Sequence, residues 1–126
     1  VNEICDVNPF GVEALMAAYN DSEEWLEELK QYLFANYNYL RAYFAEYLSE
    51  FPVSMLEGTY LVWVDCSVLN QSSDEIVKTL LEKEKLWVNE GSLYGEAGEG
   101  FIRINIACPR QQLIEGLNRL KRVLKS

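Results

Sequence analysis

Arg103 stands in the middle of the apolar run Phe101-Ile-Arg-Ile-Asn-Ile-Ala107. A cation set among four apolar neighbours is costly unless its guanidinium reaches water or an anion. Its planar fork suits a carboxylate, which can accept two parallel hydrogen bonds from it. The residues alone leave two readings open: a structural salt bridge, or a grip on a substrate anion. Just upstream lies a glycine-punctuated stretch, Gly91-Ser-Leu-Tyr-Gly-Glu-Ala-Gly-Glu-Gly100. It has no Gly-Lys-Ser/Thr ending and no G-x-G-x-x-G frame, and it leads into a strand, so it is not a phosphate loop. Glu96 and Glu99 would also repel phosphate. It reads as a flexible connection or as an active-site flap, with Gly91, Tyr94 and Gly95 as its candidate residues.

Other chemistry is excluded by residue type. The chain has no histidine, which removes Ser-His-Asp and Cys-His catalysis and any histidine metal ligand. Cys5, Cys66 and Cys108 are odd in number and have neither metal nor redox spacing. That usage suits a reducing cytoplasm, and Cys66 and Cys108, at strand ends, read as small buried hydrophobes rather than nucleophiles. The acidic pairs Glu23-Glu24 and Glu27-Glu28 read as a solvated helix face.

The formal net charge is −9, so nucleic acid is not an expected partner. The charge is uneven: residues 103–125 carry Arg103, Arg110, Arg119, Lys121, Arg122 and Lys125 against the single acid Glu115. That segment is either a solvated basic helix or the place where one arginine meets an anion. No apolar run approaches the roughly 18 residues of a membrane span, and no secretory pattern is present. With 126 residues, 49% of them hydrophobic, the chain can build one core but is short for a two-domain enzyme. Val1 is not an initiator methionine and the first ten residues lack periodicity, so the chain reads as a piece of something longer.

The elements that must position Arg103 follow from periodicity. Pro9 and the run Glu13–Tyr19 predict a short helix over 9–19. Asp21 with Glu24 fits a cap for a second helix over about 22–49, whose Leu26, Leu29, Leu33, Tyr37, Leu40, Phe44 and Tyr47 share one face. Such a helix is roughly 40 Å long, more than a domain of this size can cover. Its tyrosines, Tyr32, Tyr37, Tyr39, Tyr43 and Tyr47, read as packing residues. Phe51–Leu56 and Thr59–Cys66 predict a hairpin about Glu57-Gly58, the second strand central and buried. Ser72 and Glu75 form a capping box for a helix to about Glu84. Leu86–Val88 and Phe101–Ala107 read as strands. Pro109 opens a last helix with Leu113, Leu117, Leu120 and Leu124 inward. The order α, ββ, α, β, β, α predicts an α/β (α+β) domain, with a small, mostly antiparallel or mixed sheet of three or four strands packed by helices.

Four stretches, taken together and in order, carry a resemblance: Asn8-Pro-Phe-Gly-Val-Glu-Ala-Leu-Met-Ala-Ala-Tyr19, Glu24-Trp-Leu-Glu-Glu-Leu29, Glu57-Gly-Thr-Tyr-Leu-Val-Trp-Val-Asp65, and Gly100-Phe-Ile-Arg-Ile-Asn-Ile-Ala-Cys-Pro-Arg110. The set resembles the C-terminal part of fold-type-I, pyridoxal-phosphate (PLP) dependent aminotransferases of class I/II. It is most similar to the cystathionine β-lyase branch whose members also regulate maltose genes. The resemblance spans about Asn8 to Leu124.

The resemblance implies a small domain over residues 21–126, entered by a connector helix at about 22–49, with residues 1–20 the tail of a large domain. It implies an amino-acid substrate whose α-carboxylate is gripped by Arg103, with Asn105 and the 91–100 loop nearby. The parent would be a homodimeric, cytoplasmic aminotransferase or C–S lyase of amino-acid metabolism that carries PLP. The lysine that bonds the cofactor, and the groups that hold its ring and phosphate, would lie upstream, since Lys30, Lys78, Lys83 and Lys85 lack the family's surrounding motif. No cofactor is then expected on this segment, and no residue in it is expected to be catalytic by itself. A stand-alone α/β ligand-binding or regulatory module is the alternative from another functional class.

Overall fold

The computed structural model describes residues 8–125. The chain divides into two compact units, Val1–Tyr32 and Leu33–Ser126. In the first, helix α1 spans Pro9–Asp21. Asn8 caps it, its Oδ1 accepting from Gly11 N at 2.8 Å, and Pro9 fills the first position, where a missing N–H costs nothing. No side chain of α1 is buried. Phe10 is 87% exposed and Tyr19 83%.

Helix α2, Glu23–Tyr47, begins in the first unit and ends in the second. The predicted cap at Asp21 is displaced: Asp21 closes α1, and Ser22 alone separates the two helices. Glu23 and Glu24 still place negative charge on the first turn, where the helix dipole favours it. Of the tyrosine row, Tyr37 and Tyr43 are buried and Tyr39 is half-buried, whereas Tyr32 and Tyr47 are exposed.

The second unit holds a three-stranded antiparallel sheet: β1 (Leu61–Asp65), β2 (Asn89–Glu90) and β3 (Phe101–Asn105), in the order β1-β3-β2. The expectation that Thr59–Cys66 is the central strand is corrected: β3 is central. On its other side β1 meets only the isolated bridge Val53↔Val64, held by Ser54 N to Trp63 O and Asp65 N to Pro52 O, both 2.9 Å. Pro52 cannot donate, so the predicted strand over Phe51–Leu56 shrinks to this bridge. The strand expected at Leu86–Val88 forms instead at Asn89–Glu90. Lys85 ends α3 in the left-handed region at φ 53, and the chain runs three residues further, with Trp87 exposed, before it meets β3.

Helix α3 (Ser73–Glu84) starts at the predicted capping box: Ser72 Oγ accepts from Glu75 N, and Glu75 Oε2 accepts from Ser72 N. Helix α4 (Arg110–Leu124) follows Pro109 and buries Leu113, Leu117, Leu120 and Leu124. These leucines, Ile76, Val77 and Leu80 of α3, and Tyr37, Leu40 and Phe44 of α2 form one cluster with Val62, Val64, Ile102 and Ile104 of the sheet. Each fully buried aliphatic side chain contributes about 1.5–3 kcal/mol. The alternation is strict on β1 and β3, so the even-numbered side chains enter the core and the odd-numbered ones stand on the opposite face. Among the described residues no helix is long and apolar enough to cross a membrane, and no group of side chains could hold a metal ion.

Candidate functional site

The odd face of β3 presents Phe101, Arg103 and Asn105, and that of β1 presents Leu61, Trp63 and Asp65. Trp63 pairs with Arg103 in the β1–β3 register, and Asn89 pairs with Arg103 from the other side. Arg103 is half-buried. Its Nη2 donates to Asn89 Oδ1 at 3.1 Å. The Tyr94 ring lies over the guanidinium, 4.3 Å from centroid to Cζ. Trp63 meets Tyr94 edge-on at 5.4 Å and 87°, and Phe101 at 6.4 Å and 76°. Together with Ser54, Ala97 and Gly98 these rings line a concavity of about 270 Å³.

Tyr94 is placed by a loop that is tightly stitched. Residues 91–100 form two 3₁₀ turns, Gly91–Tyr94 and Glu96–Gly98. A β-carbon on Gly91 would overlap the Gly98 carbonyl, so both glycines are required for the two backbones to touch. Gly95, between the turns, has φ 107. The buried Ser73 accepts from Ser92 N at 3.2 Å, and Glu99 Oε1 accepts from Ser73 N at 2.7 Å and Gly100 N at 3.3 Å. Glu99 therefore places a carboxylate at the N-terminus of α3, where the backbone donors are unpaired.

The two sequence readings of Arg103 separate here. The ion pairs among the described residues are Lys30–Glu27, Arg119–Glu115, Arg122–Glu84 and Lys125–Glu50. No carboxylate among these residues pairs with Arg103, so a structural salt bridge is not its role there. Its Nε is buried and makes no hydrogen bond. A half-buried cation with an unsatisfied donor costs about 1–3 kcal/mol.

Asn105 lies on the same face, but its Oδ1 accepts from Ala107 N at 2.8 Å and shapes the turn after β3. No contact joins it to the guanidinium among the described residues. Asn89 is the residue that sequence reasoning missed. With the strand placed at 86–88, the register partner of Arg103 could not be seen. Cys66 is fully buried, and burial pushes its thiol up to about 12. Burial also raises the half-buried Cys108. Neither is an activated nucleophile. The six lysines are exposed, apart from a half-exposed Lys121 against Tyr47.

A family profile described as "Aminotransferase class I and II" matches residues 7–120. The chain belongs to the class I and II aminotransferase family. This aminotransferase-family chain is 35% identical over 123 residues to the cystathionine beta-lyase PatB of Bacillus subtilis strain 168, covering 98% of itself and 32% of that protein. It is 34% identical over 113 residues to Protein MalY of Escherichia coli K12, covering 90% of itself and 29% of that protein. The PLP-bound C-S lyase of Staphylococcus hominis matches in structure with a TM-score of 0.86 at 33% identity, over 93% of this chain and 31% of that one. The chain thus spans about a third of the length of these relatives. The fold is that of an aminotransferase small domain.

Proposed function

We propose that this chain is the C-terminal small domain of a PLP-dependent enzyme that either transaminates an amino acid or cleaves its C–S bond by β-elimination. Residues 21–126 would form the small domain and residues 1–20 the tail of the large one, the whole a homodimer. The observation that carries the reading is Arg103: a half-buried guanidinium with an orphaned Nε and no carboxylate partner among the described residues. In this reading it binds the substrate α-carboxylate. A charge-assisted hydrogen bond of this kind contributes about 1.5–3 kcal/mol. A substrate so held has its reacting carbon at a fixed distance and angle.

Among the described residues nothing supplies a cradle for the cofactor: the lysines lie at the surface, Lys30 and Lys125 paired with Glu27 and Glu50 and Lys121 against the Tyr47 ring, and the glycine loop carries Glu96 and Glu99, which oppose a phosphate. The contribution of this segment is confined to the carboxylate end of the substrate, and the cofactor's lysine and phosphate site belong to the rest of the parent.

The test uses the full-length protein that contains this chain, loaded with PLP. Titration with amino acids should perturb the visible absorbance of the cofactor saturably, and Arg103→Ala should weaken that titration by about tenfold or more. Equal saturation in the variant would remove the role from Arg103. The isolated chain, treated with PLP and borohydride, should yield no stoichiometric adduct at any one lysine.

A further inference from the structure

We infer that Asn89 and Tyr94 are the positioning residues of the Arg103 site, fixing which edge of the guanidinium a carboxylate can reach; the inference rests on Arg103 being the carboxylate grip. An arginine side chain carries about 2 kcal/mol of rotamer entropy, and a grip that must first be ordered loses that much affinity. Here two contacts order it in advance. Asn89 Oδ1 accepts from Nη2 and sets the rotation of the guanidinium in its own plane. The Tyr94 ring, with Cζ 4.3 Å from its centroid, holds the cation against its face and limits how far the guanidinium can swing. A carboxylate therefore meets a guanidinium already held in place, with the N–H groups that Asn89 leaves open available for bidentate hydrogen bonds.

The chemistry of the two partners is selective. Asn89 is neutral: it occupies one N–H of the fork and leaves the full positive charge for the ligand. An aspartate of the same shape would pair with the guanidinium and compete with the substrate. Tyr94 acts through its ring, whose π-face attracts a cation with about 0.5–2 kcal/mol and offers no anion to displace. No hydrogen bond of its hydroxyl contributes to this contact among the described residues. Both partners are held firmly. Asn89 sits in the β2–β3 ladder opposite Arg103. Tyr94 is set by the Gly91–Gly98 backbone contact and by Ser73 accepting from Ser92 N, and it is braced by a T-shaped contact with Trp63.

The experiment compares Asn89→Asp, Asn89→Ala, Tyr94→Phe, Tyr94→Leu and Arg103→Ala in the full-length PLP-loaded protein. It reads kcat and KM for an amino-acid substrate and, independently of turnover, the calorimetric Kd of propionate as an unreactive carboxylate. Thermal melting of each variant reports folding. The expected results are Tyr94→Phe tighter in Kd than Tyr94→Leu, Tyr94→Leu and Asn89→Ala weaker than wild type by about three- to tenfold, and the near-isosteric Asn89→Asp weaker still by about tenfold or more. KM should move in parallel while kcat changes less than KM. A merely structural role for Asn89 predicts that Asp is tolerated at least as well as Ala. If Asn89→Asp binds propionate as tightly as wild type, or Tyr94→Leu matches Tyr94→Phe, while Arg103→Ala is impaired, the positioning role is overturned. If Arg103→Ala itself binds propionate normally, it is the reading of Arg103 that fails.

Discussion

Asn36 and Arg110 are joined across the second unit: Arg110 Nε donates to Asn36 Oδ1 at 2.8 Å. The same amide donates its Nδ2 to Ile106 O at 2.8 Å and to Cys108 O at 3.0 Å. One fully buried side chain of α2 thus holds the turn through which β3, with Arg103 on it, passes into α4. Sequence patterning could not reveal this, because Asn36 sits within an otherwise apolar helical stripe and its partners lie seventy residues or more away.

Replacing Asn36 by Leu should therefore cost more than a surface substitution. Two carbonyls lose their donor and Arg110 loses an acceptor, so a loss of about 2–4 kcal/mol is expected. Urea unfolding of the variant measures it; a loss under about 0.5 kcal/mol, the size of an ordinary surface change, would contradict the clamp.

The capping box of α3 predicts a pH response. Hydrogen bonds from Ser72 hold the Glu75 carboxyl below its ordinary range, and Arg122 and Lys125 do the same for Glu84 and Glu50. A carboxyl depressed in the folded state stabilises it at pH above the unfolded value, and that stabilisation is lost as pH falls through the folded value. The urea midpoint should fall on acidification below the ordinary carboxylate range. Ser72→Ala should cost about 1 kcal/mol at neutral pH, and Glu75→Gln, which removes the titrating carboxyl that the Ser72 backbone N–H holds down, should make the slope of stability against pH shallower. An unaltered slope would show that the box does not set the Glu75 charge.

The buried thiol gives a labelling prediction. Cys66 is fully buried with its thiol at about 12, so iodoacetamide at pH 8 should leave it unmodified in the folded protein and alkylate it in urea. Mass mapping of alkylated peptides reads the outcome, and rapid native labelling of Cys66 would mean that the sheet end opens.

Much of this fold was legible because its signals are local. Ser72 with Glu75, Pro9 in the first turn of α1, and the leucine stripe of α4 each state their role within a few residues, and each is where it was expected. The strands were less legible. The β-rich composition of Thr59–Cys66 suggested a central strand, but sheet order is decided by which neighbours pair, and β3 rather than β1 has a ladder on both sides. Arg103 was conspicuous as a cation in an apolar run. Its partner Asn89 was hidden by a shift of a few residues in β2, and the resemblance that put Asn105 near Arg103 gave no sign that its Oδ1 also closes its own turn. The glycine spacing of 91–100 suggested a loose loop, whereas Gly91 and Gly98 permit a backbone contact that ties it down.

The most direct measurement compares an amino-acid substrate with its carboxamide in the full-length, PLP-loaded protein, before and after Arg103→Ala. The amide keeps the side chain and amino group and loses only the anionic end. Wild type should prefer the acid in kcat/KM by about a hundredfold or more, and the variant should bring the two within about tenfold of each other. An acid-to-amide preference unchanged by the substitution would place the carboxylate grip on some other residue.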